Sequence, residues 1–170
     1  MSALPTQLSI RIQKGRDGPD VLACTRGDGT RTWQRLQRGI PVHDLTHYAV
    51  ERVLGLRDGF FGLVGRGWDI TAFAEAEKRA GLPPAAEWEE YVVSLLLTEL
   101  SDGMQRDARE FDATLSTMLA GRARLARRAI ADAELASIRE LVRELVERWR
   151  GLEPGGAIDL ALECEPVRSN

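Results

Sequence analysis

Both histidines of the chain lie in one short stretch, four residues apart, with acidic side chains beside them. Two histidines at positions i and i+4 project from the same face of an α-helix and can chelate one ion. Divalent metals of the zinc type favour imidazole nitrogen and carboxylate oxygen as ligands. The sequence therefore predicts a helical metal site of the pattern H-D-x-x-H-x-x-x-E, with these candidate ligands: His43, His47, Asp44 and Glu51.

The spacing of the four side chains places them on one sector of the helix. Each residue turns an α-helix by about 100°, so that with His43 at zero, His47 lies near 40°, Glu51 near 80° and Asp44 near 100°. The apolar residues of the stretch cover the opposite side of the helix. The polar sector borders the buried face, and we expect it at the rim of the core, where a cleft could form.

The role of the carboxylates is open at this level. Asp44 stands where the metalloprotease motif H-E-x-x-H has its glutamate, but its side chain is one carbon shorter. It is better suited as a ligand, or as a partner that orients an imidazole, than as a general base. Three further carboxylates could also complete the site: Asp58, Asp69 and Glu99.

A purely structural interpretation competes with the metal site. Asp44 would then favour the positive end of the helix dipole. His43 would be a partly buried histidine with one hydrogen bond, and His47 and Glu51 would form an i,i+4 pair on the surface.

The run from His43 to His47 is similar to the H-D-x-x-H motif of the zinc-binding ubiquinone-biosynthesis proteins. That motif continues with eleven residues and then a glutamate. The matching position in this chain is Gly59, with Asp58 one step early. The resemblance covers five residues, and no function is carried over from it.

Three strands at the N-terminus and one at the C-terminus are predicted from alternating apolar and polar residues. Residues 1–38 read as a β-meander, in which the Asp28-Gly29 pair marks a tight turn. Residues 155–165 alternate again and predict a strand that returns to the N-terminal sheet. The meander strands are expected at Leu8–Ile12, Val21–Thr25 and Arg31–Leu36.

The segment 41–151 between these strands is predicted to be helical. Pro41 suits a first helical turn, and Gly55 suits a helix end. A glycine-rich stretch, Phe60–Trp68, is expected to be ordered but irregular, and it could wall a small-molecule pocket. About five helices are expected: Pro41–Leu54, Asp69–Gly81, Pro83–Leu100, Asp107–Leu119 and Asp132–Arg150. Together the segments predict a single α+β domain over residues 1–170, with an antiparallel sheet of about four strands packed with these helices.

Charge and sequence pattern indicate which classes of partner and which cellular compartment are expected. A net charge of -3 over 170 residues argues against a dedicated nucleic-acid binder. The N-terminus has no signal-peptide pattern, and no apolar stretch is long enough to span a bilayer. We therefore expect no nucleic acid, no membrane and a cytoplasmic location. Cys24 and Cys164 match no metal or redox spacing and are expected to be reduced, buried thiols.

Three hypotheses about function follow from these observations. The first is a metal-binding protein or metal-dependent enzyme, in which an open coordination position activates water. The alternative is a non-catalytic interaction module, homodimeric through the C-terminal helix. Apolar residues of that helix follow heptad spacing: Leu135, Ile138, Val142, Leu145, Trp149 and Leu152. A third hypothesis is a small-molecule binder that uses the Phe60–Trp68 loop, with a ligand that the sequence does not specify.

Overall fold

A computed structural model describes residues 6–122, 125 and 128–164. Four antiparallel strands form one sheet in the order β3-β2-β1-β4. The strands are β1 Thr6–Gln13, β2 Asp20–Thr25, β3 Arg31–Leu36 and β4 Ala157–Cys164. The C-terminal strand pairs along the whole of β1, with Ile12 opposite Ile158. The predicted α+β fold, with three N-terminal strands and one returning strand, is confirmed.

The helices cover one face of this sheet. Alternate residues of β1 (Leu8, Ile10 and Ile12) point into the core, and the residues between them are exposed. This alternation is the reason that the sheet can be read from the sequence. The helices are α1 Ile40–Leu54, α2 Phe60–Gly65, α3 Ala76–Arg79, α4 Pro84–Asp102, α5 Ala108–Met118 and α6 Asp132–Gly151, with a 3-10 segment at Ile70–Ala74.

Helix α1 packs on both halves of the core. Leu45 and Tyr48 lie among the side chains beneath the sheet, whereas Ala49 and Val50 lie among those of α4, α5 and α6. The helix ends as predicted, because Gly55 adopts a left-handed conformation with φ 64°. Helix α1 lies between two apolar layers. Its polar side chains are therefore buried except where they face a gap between neighbouring elements.

Two predicted segments differ from the structure. Asp69 does cap a helical segment, since its side chain accepts from the amide of Thr71. That segment is a 3-10 turn, however, and Glu75 in an extended conformation separates it from the short α3. The glycine-rich stretch predicted as irregular contains a helix, α2. Its first amides donate hydrogen bonds to carboxylates of α1 and α4.

The heptad seam of the last helix packs against this chain's own core. Leu135, Ile138, Val142, Leu145 and Trp149 are all buried, and Leu152 is half-buried. A homodimer through the C-terminal helix remains a prediction, and it would have to use the exposed side of α6.

Both cysteines are buried thiols that form no disulfide. Cys24 lies opposite Ile10, and Cys164 lies opposite Thr6 on the other side of β1. Burial raises the pKa of Cys24 to about 12 and that of Cys164 to about 11. Over the residues that the structure describes, no helix has both the length and the apolar character required to cross a membrane.

Candidate metal centre

The two histidines of α1 face the second turn of α4. His47 is buried, and its Nδ1 lies 2.9 Å from Oε1 of Glu89. Its other nitrogen, Nε2, lies 2.9 Å from Oε1 of Glu90. The imidazole is therefore held between two consecutive carboxylates from a helix that begins about forty residues later in the chain.

His43 lies one turn earlier and faces the same carboxylate. Its Nε2 is 3.5 Å from Oε2 of Glu90, and its Nδ1 is 3.3 Å from Oδ1 of Asp44. The two imidazole rings are 4.6 Å apart and inclined at 70° to each other. The predicted convergence of both rings is thus present, and Glu90 joins them from across the helix interface.

His43, His47 and Glu90 can each offer one ligand atom, and these three atoms lie within 4.8 Å of one another. Two ligands of a tetrahedral zinc ion, each at about 2.0–2.1 Å from the metal, are about 3.4 Å apart. The distances from Glu90 to the two imidazole nitrogens, 2.9 and 3.5 Å, lie on either side of that separation. A His/Glu group is therefore close enough to hold a metal ion with small movements.

Two further carboxylates contact the nitrogens that face away from Glu90. Glu89 contacts Nδ1 of His47, and Asp44 contacts Nδ1 of His43. Carboxylates in such positions fix the tautomer and orientation of metal-binding imidazoles. Of the roles considered for Asp44, its place beside His43 matches that of an orienting partner. Its second oxygen is buried and has no hydrogen-bond partner among the described residues.

Glu51, a predicted ligand, caps helix α2. Its two carboxylate oxygens accept hydrogen bonds from the amides of Phe61 and Gly62, at 2.7 and 2.8 Å. The first amides of a helix have no partner within the helix, so these bonds satisfy two of them. Glu89 accepts from a third amide, that of Phe60, at 2.9 Å. These two carboxylates explain why a glycine-rich stretch forms a helix here.

Glu51 also belongs to a second group within reach of a metal, together with His47 and Glu89. An ion bound there would compete with three backbone amides for carboxylate oxygens that are already used. The group formed by His43, His47 and Glu90 is the better candidate because no backbone group occupies its ligand atoms.

The charges around His47 favour the ionised forms of His47 and Glu90 but not that of Glu51. Burial by itself would lower the pKa of His47, but Glu89 and Glu90 outweigh it and raise that pKa well above its ordinary value. Partial burial would raise the pKa of Glu90, but hydrogen bonds with His43 and His47 lower it well below its usual range. Burial raises the pKa of Glu51, and the negative charge of Glu89 raises it further.

A cavity of about 280 Å³ opens beside the imidazole of His47. Its wall is mainly apolar, and His47, Glu90 and Arg79 provide the polar groups. The apolar lining consists of Phe60, Phe73, Leu82 and Ala86. The ring of Phe60 lies 5.3 Å from that of His47 and 4.6 Å from that of Phe73. The glycine-rich stretch that was expected to wall a pocket thus contributes one side chain to this one.

The other carboxylates considered from the sequence have different partners. Glu99 forms a two-pronged ion pair with Arg139, with distances of 2.8 and 2.9 Å. Asp58 pairs with Arg66, and Asp69 caps the 3-10 segment. None of these three joins a histidine group within the described part of the chain.

Sequence reasoning missed Glu89 and Glu90 as members of the site. Their only local signal is a run of acids in the first two turns of α4, which also includes Glu87. Such a run is typical of an ordinary helix N-terminus, because it complements the helix dipole. Only the packing of α4 on α1 distinguishes the two site residues from their neighbour.

No protein family model matches this chain, and no curated protein or solved structure matches it significantly.

Proposed function

We propose that His43, His47 and Glu90 bind one divalent ion of the zinc type, and that the protein is a metal-dependent enzyme. One observation carries the proposal: the Glu90 carboxylate lies within 3.5 Å of a nitrogen of each imidazole, while the second nitrogen of each ring contacts another carboxylate. Two histidines, one glutamate and their orienting acids form a ligand set that zinc enzymes use.

The number of protein ligands favours catalysis over a structural role. Structural zinc sites have four protein ligands, whereas catalytic sites have three and leave one position open. Three are available here, and the cavity next to His47 could admit a substrate to a fourth position. A chain of this size also has a core of its own and does not need a metal for folding. A divalent ion here would supply Lewis acidity for polarising an oxygen or activating water.

Charge balance supports the same proposal. Without metal, a protonated His47 donates hydrogen bonds to Glu89 and Glu90 and offsets part of their charge. A divalent ion held by His43, His47 and Glu90 would take over this compensation, and Nδ1 of His47 would still donate to Glu89. Metal binding then releases protons, and the apparent affinity falls as the pH is lowered.

Metal analysis of protein purified without a histidine tag tests the proposal. We expect about one equivalent of zinc or cobalt per chain, bound by the group formed by His43, His47 and Glu90. Glu90→Gln should lower metal affinity by at least about tenfold, the lower end of the effect of losing even an orienting partner. Glu87→Gln, a matched change one turn earlier in the same helix and outside the ligand set, should leave the affinity unchanged. His43→Ala provides a second test at a half-buried position, and it should also lower the metal affinity.

Two results would refute the metal centre. One is a chain that binds no zinc or cobalt at micromolar concentrations, in a fold shown to be native by circular dichroism. The other is equal affinity in Glu90→Gln and Glu87→Gln. Light scattering measures the oligomeric state directly. If the metal-free protein is a monomer, the alternative of a homodimeric interaction module is excluded as well.

A further inference from the structure

The cavity beside His47 is one end of a longer cleft between α3 and α4. A second cavity, of about 490 Å³, shares Arg79, Leu82 and Glu90 with the first. It continues along α4 to Tyr91 and Ser94. A ligand in this cleft would therefore lie beside both Arg79 and Glu90, which line the two cavities.

The inner part of this cleft is suited to a compact apolar group. Phe60 and Phe73 present neighbouring rings, and Leu82 and Ala86 complete the wall. This inner cavity has a volume of about 280 Å³. One six-membered ring with a short substituent fits that space, and apolar walls of this kind favour ring faces over polar groups.

Arg79 is an exposed side chain, and of the charged residues on the lining of this cleft it is the one with no charged partner among the described residues. Its guanidinium makes no hydrogen bond or ion pair with any residue that the structure describes, although it lines both cavities. The acids nearby already have partners, since Glu87 pairs with Arg122 and Glu90 contacts both histidines. A free guanidinium beside an apolar pocket provides the fork of donors that pairs with a carboxylate.

From these features we infer that the substrate is a small aromatic or branched apolar compound with a carboxylate, which Arg79 binds while the reacting group faces the metal. This inference rests on the proposed metal centre and assigns the class of compound that it acts on. Phe60 and Phe73 select the apolar group, and Arg79 selects the anionic group. Specificity for the carboxylate then resides in a residue outside the metal ligand set.

Two hydroxamate probes test this assignment on the full chain loaded with cobalt(II). Benzohydroxamate carries a metal-binding group and a phenyl ring, and 4-carboxybenzohydroxamate adds the carboxylate. We expect the carboxylated probe to bind at least about tenfold more tightly, the size of one charge-assisted hydrogen bond. The change in the visible cobalt spectrum reports each dissociation constant.

Variants of Arg79 isolate its contribution. Arg79→Gln should bring the ratio of the two dissociation constants to about one, while the affinity for benzohydroxamate stays unchanged. Arg79→Lys keeps the charge but not the fork, and should retain part of the preference. Arg109→Gln, which removes an exposed arginine on α5, is the matched control and should keep the full preference.

The outcomes separate this inference from the proposed function. If cobalt binds and its spectrum responds to both probes with equal affinity, the carboxylate assignment is overturned and the metal centre stands. The same holds if Arg79→Gln keeps the tenfold preference. If the chain binds no cobalt, the metal centre fails, and the inference fails with it.

Discussion

Removing Glu51 tests whether this carboxylate serves the fold or the metal. In Glu51→Ala the amides of Phe61 and Gly62 lose acceptors at 2.7 and 2.8 Å in a buried setting. Each buried amide left without a partner costs about 1–3 kcal/mol, so that the pair costs about 2–6 kcal/mol. Relief of the repulsion between Glu51 and Glu89 offsets part of this cost. We therefore expect the free energy of unfolding to fall by an amount in the lower half of this range, about 2–4 kcal/mol.

A graded pair of substitutions makes this prediction sharper. Glu51→Gln keeps one oxygen acceptor but turns an amide nitrogen toward the second N–H. It should therefore lose about half as much, roughly 1–3 kcal/mol. The control is Glu147→Ala, the same change at an exposed helical position on α6. Surface substitutions of this kind stay within about 0.5 kcal/mol of the parent.

Urea unfolding in excess chelator, followed by tryptophan fluorescence, measures these differences without any contribution from bound metal. If Glu51→Ala matches Glu147→Ala to within about 0.5 kcal/mol, capping of α2 by Glu51 contributes nothing to stability and the reasoning is wrong. A variant that is stable in chelator but has lost metal affinity would instead restore Glu51 as a ligand. If Glu51→Ala does not fold, Glu51→Gln still reports the loss of one acceptor.

Two further predictions concern titration and thiol reactivity. The pKa of His47 is raised in the folded state, so in chelator its contribution to stability is complete below the unfolded pKa of about 6.5 and is lost as the pH rises through the folded pKa. Urea unfolding at a series of pH values should show this decline in the free energy of unfolding. A His47→Gln variant that shows the same decline would contradict the prediction. Cys24 and Cys164, with pKa values raised to about 12 and about 11, should resist alkylation at pH 8 in the native protein and react once urea unfolds it. Mass spectrometry counts the labelled thiols, and rapid labelling of native protein would show that they are accessible.

Local signals were sufficient for the sheet and for most helix ends. Gly29 and Gly55 adopt the positive φ angles that their turn and helix-end positions require. The strands alternate because one face of the sheet is covered and the other is not. These features depend on residues close in sequence, which is why the α+β arrangement could be predicted.

Helix α2 and the third ligand depend on residues distant in sequence. Phe60–Gly65 contains two glycines and a cluster of apolar residues, a poor helix by propensity. The segment is helical because Glu51 and Glu89 accept its first amides. Glu90 enters the site for a similar reason, since it reaches the histidines only through the packing of α4 on α1. Pattern analysis within a single helix could find His43 and His47 but not their partner.

The position of Gly59 shows how tightly these carboxylates are packed. A Cβ atom at this residue would lie 2.6 Å from both Cδ of Glu51 and Oε2 of Glu89. The extended H-D-x-x-H motif would place its glutamate at Gly59, but in this chain the carboxylates of Glu51 and Glu89 occupy the space that a side chain would need. The acidic groups that surround the histidines come instead from α1 and α4.

Glu89 connects the orientation of the histidine with the shape of the pocket. One of its oxygens contacts Nδ1 of His47 and the other accepts from the amide of Phe60, whose ring lines the cavity. A fully buried carboxylate is costly, and well-packed apolar residues often give equal or greater stability. Its use here is therefore better explained by geometry than by stability. Glu89 thus contacts both the imidazole that would bind the metal and the segment whose aromatic ring would bind the substrate. A shift of α2 would therefore change the positions of both groups.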